Sequence, residues 1–360
     1  MPIDYTPFLK LKKQEVTALK MLDSDWHSLL VPFFDFPAKE DTTKPWDYAE
    51  KSVEMASYVT KHIPNISRFY LDAFDVEDHI VQGKHNYLYL LEKFNNFDVI
   101  PVTGPDRTDD HLQSIRAFIH QKTSPSIAIG YRVTADDFIS FNATKDEVAD
   151  SLDGLINDLF TEIHLIIDCR LIAFLKSKVI GDMVKQIANY IVKFTHAYPV
   201  SKVIIAGSMI PVSLASLVKA NAHGCIDRYE IAIYEAVKQH FPTDYCIQFG
   251  DYTTVSPEFA EPNEQSSKNA TSKFVYSHNK QQYIWRGTKV IGPPSKQHLY
   301  NEHVRDMIAL SPTIYRGQSY SWADDEFFNK QHARDGFWIN TINKFLINAH
   351  ISYMLRTYNH

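Results

Sequence analysis

Eight short β-rich runs, each followed by a stretch of helical period, fill the first 255 residues, and that count restricts the architectures open to the chain. The runs are Asp4–Lys10, Leu30–Phe36, Arg68–Phe74, Asp98–Thr103, Ser126–Val133, Ile163–Arg170, Lys202–Ser208 and Tyr245–Asp251. Between them, apolar residues recur at helical spacing over Lys12–Leu22, Trp46–His62, Val76–Phe94, Thr108–Gln121, Lys145–Phe160, Lys176–Phe194 and Ile226–His240. Thr108 precedes two aspartates and Thr144 precedes Asp146 and Glu147, which suits the positive end of a helix. The runs include no consecutive hairpin pair, and no glycine-rich dinucleotide loop is present. The pattern therefore predicts an α/β chain closed into a parallel (β/α)8 barrel, not an open doubly wound sheet.

After the eighth run the pattern changes. Ser256–Lys273 is rich in Pro, Ser, Asn and Glu and reads as an exposed loop, Phe274–Tyr276 and Gln282–Arg286 as a hairpin, and Pro293-Pro294 as punctuation. Helical stretches at Ser295–Leu310 and Asp335–Tyr358 are expected to supply the last outer helix and an appendage. The expected division is a barrel over 1–255 and a loop, hairpin and helices over 256–360 that complete or cap it.

Composition narrows the partners. With 37 Lys and Arg against 43 Asp and Glu, a formal charge of −6 makes an unspecific grip on nucleic acid an unfavourable reading, although local basic clusters remain compatible with it. No stretch approaches the roughly 18 apolar residues of a membrane span, and the start lacks the basic and then apolar pattern of a secretion signal. The three cysteines, Cys169, Cys225 and Cys246, indicate neither a disulfide framework nor a Cys-type zinc site. A cytoplasmic location is expected.

In such a barrel, one face of each strand meets the outer helices, the other fills the interior, and chemistry gathers at the carboxyl ends. Alternation sends Lys10 to the mouth from the first strand, Tyr70 and Asp72 inward from the third, and Ala128, Gly130 and Arg132 inward from the fifth. In the sixth, His164, Ile166, Asp168 and Arg170 point inward. The expected mouth gathers Lys10, Asp35, Asp72, Arg132, Asp168, Arg170, Ser208 and Asp251. Its carboxylates suit a divalent ion or proton exchange, and its arginines suit a forked grip on phosphate. The competing reading is that these charges neutralise one another as structural ion pairs.

Asp168, Asp251 and Lys10 are the catalytic candidates. Asp168 stands two residues from Arg170 and is nearly as well explained by a structural pair. Asp251 sits in Gly250-Asp251-Tyr252, which is also ordinary turn chemistry. Lys10 fits imine formation less well than a phosphate contact or an ion pair. Arg286, beside a Trp285 that suits either stacking on a base or plain packing, joins the binding candidates. His350, in an apolar helix, reads as a satisfied core histidine. Signatures of metal-dependent amidohydrolase barrels, glycerophosphodiesterases, imine-forming aldolases and retaining glycosidases are missing, as are P-loop, His-Glu-x-x-His and Gly-x-Ser-x-Gly motifs.

The opening Tyr5-Thr-Pro-Phe-Leu-Lys10-Leu-Lys12-Lys-Gln-Glu15 and Leu30-Val-Pro-Phe-Phe-Asp-Phe-Pro37 resemble the N-terminus of the phage and prophage "beta protein" family. Further likenesses follow in order: Leu165-Ile-Ile-Asp168, Phe249-Gly-Asp-Tyr252 with Pro257, Tyr283 to Gly287, Trp322-Ala-Asp-Asp-Glu, Trp338 and Asn348-Ala-His350-Ile. The chain departs from that pattern at Ala349, where a second histidine is frequent, and at Ala323, where a glycine is. The resemblance implies a bacterial, phage or mobile-element protein linked to phage defence or exclusion, without an established reaction.

Two readings follow. In the first, the mouth binds a phosphorylated small molecule, a nucleotide or a nucleic-acid end. As an enzyme it would be a hydrolase of a phosphate-containing substrate, with Asp168 and Asp251 holding a divalent ion or moving protons and Lys10, Arg132 and Arg170 stabilising negative charge. In the second, the protein is a non-catalytic defence component that senses or restrains a bacterial or phage protein through its aromatic-rich segment from Trp285 to Tyr358.

Overall fold

Eight strands close into an all-parallel barrel: Tyr5–Lys10 (β1), Phe33–Asp35 (β2), Arg68–Asp72 (β3), Asp98–Thr103 (β6), Ala128–Val133 (β7), Glu162–Leu171 (β8), Val200–Ser208 (β9) and Ile247–Asp251 (β11). Their order around the barrel is β1-β11-β9-β8-β7-β6-β3-β2. The structure is a computed structural model that describes residues 5–38, 47–122, 126–156, 158–243, 245–258, 270–291, 296, 298–310, 313–333 and 336–358. Asp4, Trp46, Pro293-Pro294, Ser295, Asp335 and most of the expected loop Ser256–Lys273 lie outside the described residues.

Alternation sorts the side chains as the sequence leads one to expect. Ile129, Tyr131 and Val133 of β7 pack outward with Leu165 and Ile167 of β8 into the main core, under the helices. The interior holds Phe8, Phe33, Tyr70, Ile100, Val102, Ala128, Ile166, Ile204, Ala206 and Tyr252. Phe8 and Phe33 stack at 4.3 Å, and small residues must stand opposite such rings. Gly250 is one of them, since a Cβ there would lie 2.8 Å from Phe8 Cε2.

The outer layer comprises Lys13–Lys20 (α1), Ser24–His27 (α2), Tyr48–His62 (α3), Asn86–Lys93 (α4), Asp109–Gln121 (α5), Phe141–Leu152 (α6), Ser177–Ala197 (α7) and Tyr229–Lys238 (α8). The expected Lys145–Phe160 helix runs instead over Phe141–Leu152, with Ser140 and not Thr144 before its start, and two further segments differ from expectation for local reasons. The stretch Val76–Phe94 is not one helix. It opens with a turn and a small hairpin of Ile80–Val81 (β4) and Lys84–His85 (β5), whose Gln82 and Gly83 both take positive φ (51° and 80°), the twist that two-residue hairpins require. The expected Ile226–His240 helix begins at Tyr229, because Ala222–Asp227 forms an edge strand (β10).

Thr271–His278 (β12) and Gln281–Lys289 (β13) form the expected hairpin, which β10 joins in the antiparallel order β10-β13-β12. Thr271–Lys273 thus belong to a strand, not to an exposed loop, and Ser256 is buried. His298–Ala309 (α9), Trp322–Lys330 (α10) and Ile342–Tyr358 (α11) complete the chain, α10 having gone unread in the sequence. Helix α11 packs on both α1 and β12. It gives Ile347, Ile351, Met354 and Leu355 to the barrel's core and Ile342, Phe345, Leu346 and Ala349 to a second core around Phe274, Trp285, Phe327 and Phe337. No helix is long and apolar enough to cross a membrane among the described residues.

Candidate functional site

Strand register builds the barrel mouth. Lys10 pairs across to Asp35 and Asp35 to Asp72, so three charged side chains from adjacent strands point inward at one level. Arg132 reaches this layer from β7 and Asp168 from β8. Lys10 Nζ donates to Asp35 at 2.9 Å and to Asp75 at 2.6 Å. Arg132 donates to Asp72 at 2.8 Å, to Asp168 at 2.6 and 3.0 Å and to the Tyr252 hydroxyl oxygen at 3.0 Å, and that hydroxyl in turn donates to Asp168. Arg107 holds both oxygens of Asp72 at 3.0 Å, and Arg170 pairs with Asp75 at 3.1 Å. Phe74 lies 4.2 to 5.0 Å from the guanidinium carbons of Arg107, Arg132 and Arg170, a cation–π arrangement.

Six of the expected mouth residues therefore converge: Lys10, Asp35, Asp72, Arg132, Asp168 and Arg170. They do so by pairing with one another. Burial would raise the Asp72 carboxyl, but Arg107 and Arg132 hold it below its ordinary value. Burial dominates at Asp35 and raises it despite Lys10 and Arg132. Ser208 is buried, and its Oγ accepts from the Ile210 amide at 3.0 Å, a local bond at the strand end. The sequence reading missed Phe74, Asp75, Arg107 and Tyr252. Tyr252 was accessible to it, because alternation continued past Gly250 points that ring inward. Phe74 closes the expected third run on the same parity as Tyr70 and Asp72, whereas Asp75 and Arg107 come from loops, where no period applies.

Asp251 does not join them. Phe249 faces the outer core, so Asp251, two residues on, faces outward as well. There its carboxylate accepts from the Tyr5 hydroxyl at 2.8 Å, from the Thr253 amide at 2.9 Å, from Arg228 and from His350 Nε2 at 2.9 Å. Arg228 also pairs with Glu230 at 2.7 Å. Burial would raise Asp251, but His350 and Arg228 drive it well below the usual carboxylate range, while burial lowers His350. With the imidazole neutral, Nε2–H donates to the carboxylate and Nδ1 accepts from the Ser277 hydroxyl at 2.7 Å. His350 is the satisfied core histidine the sequence suggested, and Trp285 packs edge-on against Phe274 at 5.6 Å.

A cavity of about 780 Å³ opens beside the mouth, between the barrel and the β10-β13-β12 sheet. Its barrel wall comes from segments just past the carboxyl ends of β1 (Lys12, Lys13), β9 (Val212 to Leu214) and β11 (Val255), and its far wall from Lys273 of β12, Arg286 of β13 and Ile342 of α11. Lys12, Lys13, Lys51, Lys273 and Arg286 face Glu15 and Glu54 around it, so the lining is basic. Lys13 and Lys51 both pair with Glu54. Burial lowers the ammonium of Lys273. Among the described residues, the Arg286 side chain makes one long bond, 3.4 Å to the Val218 carbonyl. Neither Asp168 nor Asp251 lines this cavity. Among the described residues, no three His, Cys, Asp or Glu side chains are grouped to hold a metal ion, and the mouth carboxylates are interleaved with cations that already neutralise them.

No curated protein matches the chain. Among solved structures, a glucosidase from Croceicoccus marinus is similar at 14% identity over 51% of this chain, with a TM-score of 0.33. The chain spans 44% of that structure's length, and a likeness this low carries no argument about function. A family model described as Beta protein matches residues 5–356, nearly the full length of the sequence. The ordered likenesses from Tyr5 to His350 therefore have their explanation: the chain belongs to the Beta protein family.

Proposed function

We propose that this is a phage-related barrel protein, acting in phage defence or exclusion, that binds a phosphorylated or nucleotide-like ligand on the carboxyl side of its strands. The seat is the groove between barrel and C-terminal sheet, not the ion-paired mouth. The observation that carries the reading is the basic lining of a cavity of about 780 Å³, a size within the range of small-molecule sites. Arg286 suits a forked grip on phosphate, and Lys273 on the facing strand supplies a point charge. The family match supports the phage setting.

Calorimetric titration with inorganic pyrophosphate and with a nucleoside diphosphate tests the proposal. Saturable binding is expected, weakened about tenfold, or ~1.4 kcal/mol, by Arg286→Ala or Lys273→Ala in folded protein. Absence of saturable heat, or affinity indifferent to both substitutions, overturns it. A second reading, docking of a partner protein, draws on Trp338, which is 46% exposed beside the groove-lining Ile339. Copurification of a bacterial or phage protein that Trp338→Ala abolishes, without any anion binding, would favour it.

A further inference from the structure

Strand β3 leads into a turn that lays Phe74 and Asp75 across the barrel mouth. The four mouth carboxylates are not equivalent. Asp35, Asp72 and Asp168 stand on barrel strands with side chains at most 1% exposed. Asp75 comes from the turn and is 22% exposed, yet it is the carboxylate that bridges Lys10 and Arg170. With it in place, Lys10, Arg107, Arg132 and Arg170 are matched by four aspartates. Without it, Arg170 has no carboxylate partner among the described residues, and the mouth carries a net positive charge.

Arg170 is itself set up unusually. The β8–β9 register shifts between Asp168 and Leu171, and Arg170 takes a left-handed backbone, φ 51°, an irregularity that re-aims a side chain at a barrel rim. Its Nη2 reaches Asp75, whereas its Nη1 is buried with no hydrogen-bond partner among the described residues. Asp75 meets Lys10 with one oxygen and Arg170 Nη2 with the other, and neither oxygen bonds Nη1. A phosphate, with three terminal oxygens spread tetrahedrally, offers Nη1 an acceptor in a direction the planar carboxylate does not cover.

The geometry points to a latent anion site at the barrel mouth, formed by Lys10 and Arg170 and occupied by the Asp75 carboxylate, that accepts inorganic phosphate or a terminal phosphomonoester once the Phe74–Asp75 turn withdraws. Asp75 is the built-in stand-in for the ligand, which makes the site self-blocked in the resting fold. It goes beyond the groove reading, since none of Lys10, Asp75 and Arg170 lines the groove.

Asp75→Ala tests it. The variant is expected to melt lower than the parent, and inorganic phosphate, but not chloride at equal ionic strength, is expected to restore the melting temperature through binding at least tenfold tighter than to the parent. Adding Arg170→Ala should remove that rescue, and adding the groove substitution Arg286→Ala should leave it intact, so the two sites fail separately. Should Asp75→Ala not fold, Asp75→Ser, shorter and uncharged, likewise vacates the site and takes the same titration. Phosphate binding no tighter than in the parent, or rescue that survives Arg170→Ala, overturns the inference.

Discussion

Arg132 donates from both Nε and Nη2 to a single oxygen of Asp168, at 3.0 and 2.6 Å, with neither side chain meeting solvent. Removing Asp168 leaves Arg132 to share Asp72 with Arg107, so the buried layer keeps an unmatched positive charge, at a cost of about 3–5 kcal/mol. Asp168→Ala is therefore expected to lose roughly that much stability in urea unfolding. Arg132→Met with Asp168→Ala should recover at least half of it, because Asp72 keeps Arg107 and no cation is left stranded. Losses that simply add would show that the pair contributes no coupling.

Asp251 and His350 tie β11 to the C-terminal helix, and Ser277 extends the link to β12. His350→Ala leaves a carboxylate and a hydroxyl short of partners, a loss of about 1–3 kcal/mol. The expected signature is local. Amides of β12 and α11 should exchange faster with deuterium while β7 and β8 stay protected. A uniform rise across the barrel would mean that the link is not the joint between the two cores.

Acid should loosen the fold earlier than carboxylates alone would allow. Burial pushes His111 and His164 down to about 3 each, from an unfolded value near 6.5. The unfolded chain then binds protons that the fold refuses. The stability these neutral rings contribute is complete above about pH 6.5 and falls towards pH 3, by about 1.4 kcal/mol per pH unit for each histidine. Asp72 and Asp75, both depressed by their cations, add a further loss below about pH 4. Urea midpoints measured from pH 7 to 4 should fall from about pH 6 downward, and His164→Gln should flatten that slope. A profile level down to pH 4.5 would contradict this.

Gly250→Ala should destabilise despite the gain in chain stiffness. Its Cβ would stand 2.8 Å from Phe8 Cε2 and 3.2 Å from Ala206 Cβ and Ile204 Cγ2, all inside the closed barrel. Overpacking costs about 1–3 kcal/mol, against roughly 0.4–1 kcal/mol gained from the less flexible unfolded chain. Calorimetric melting should show a lowered midpoint; an unchanged one would mean that the interior is looser than its stacked rings imply.

Much of this was legible because a strand's period of two is a strong constraint. Lys10, Asp72, Arg132 and Asp168 could be sent inward by counting alone, and the register then aligned them. The same count should have turned Asp251 outward with Phe249; grouping it with the mouth followed strand-end position instead of parity. Asp75 and Arg107 lay beyond any periodic signal, for loops place side chains by turn geometry. The Gln82-Gly83 hairpin turn was hidden by a flanking sequence that also fits a helix, and β10 by its half-exposed edge position, which left no apolar alternation to read. The groove, whose lining comes from segments as far apart as Lys12 and Asn343, has no local sequence signature.

A crystal of the unaltered protein soaked in tungstate, an anion whose anomalous scattering locates it directly, puts the binding proposal to its plainest test. Ordered tungstate among Lys12, Lys273 and Arg286 is the predicted result, with the mouth still held by Asp75. An empty groove, or tungstate seated only against Lys10 and Arg170, would contradict the assignment of the ligand to the groove.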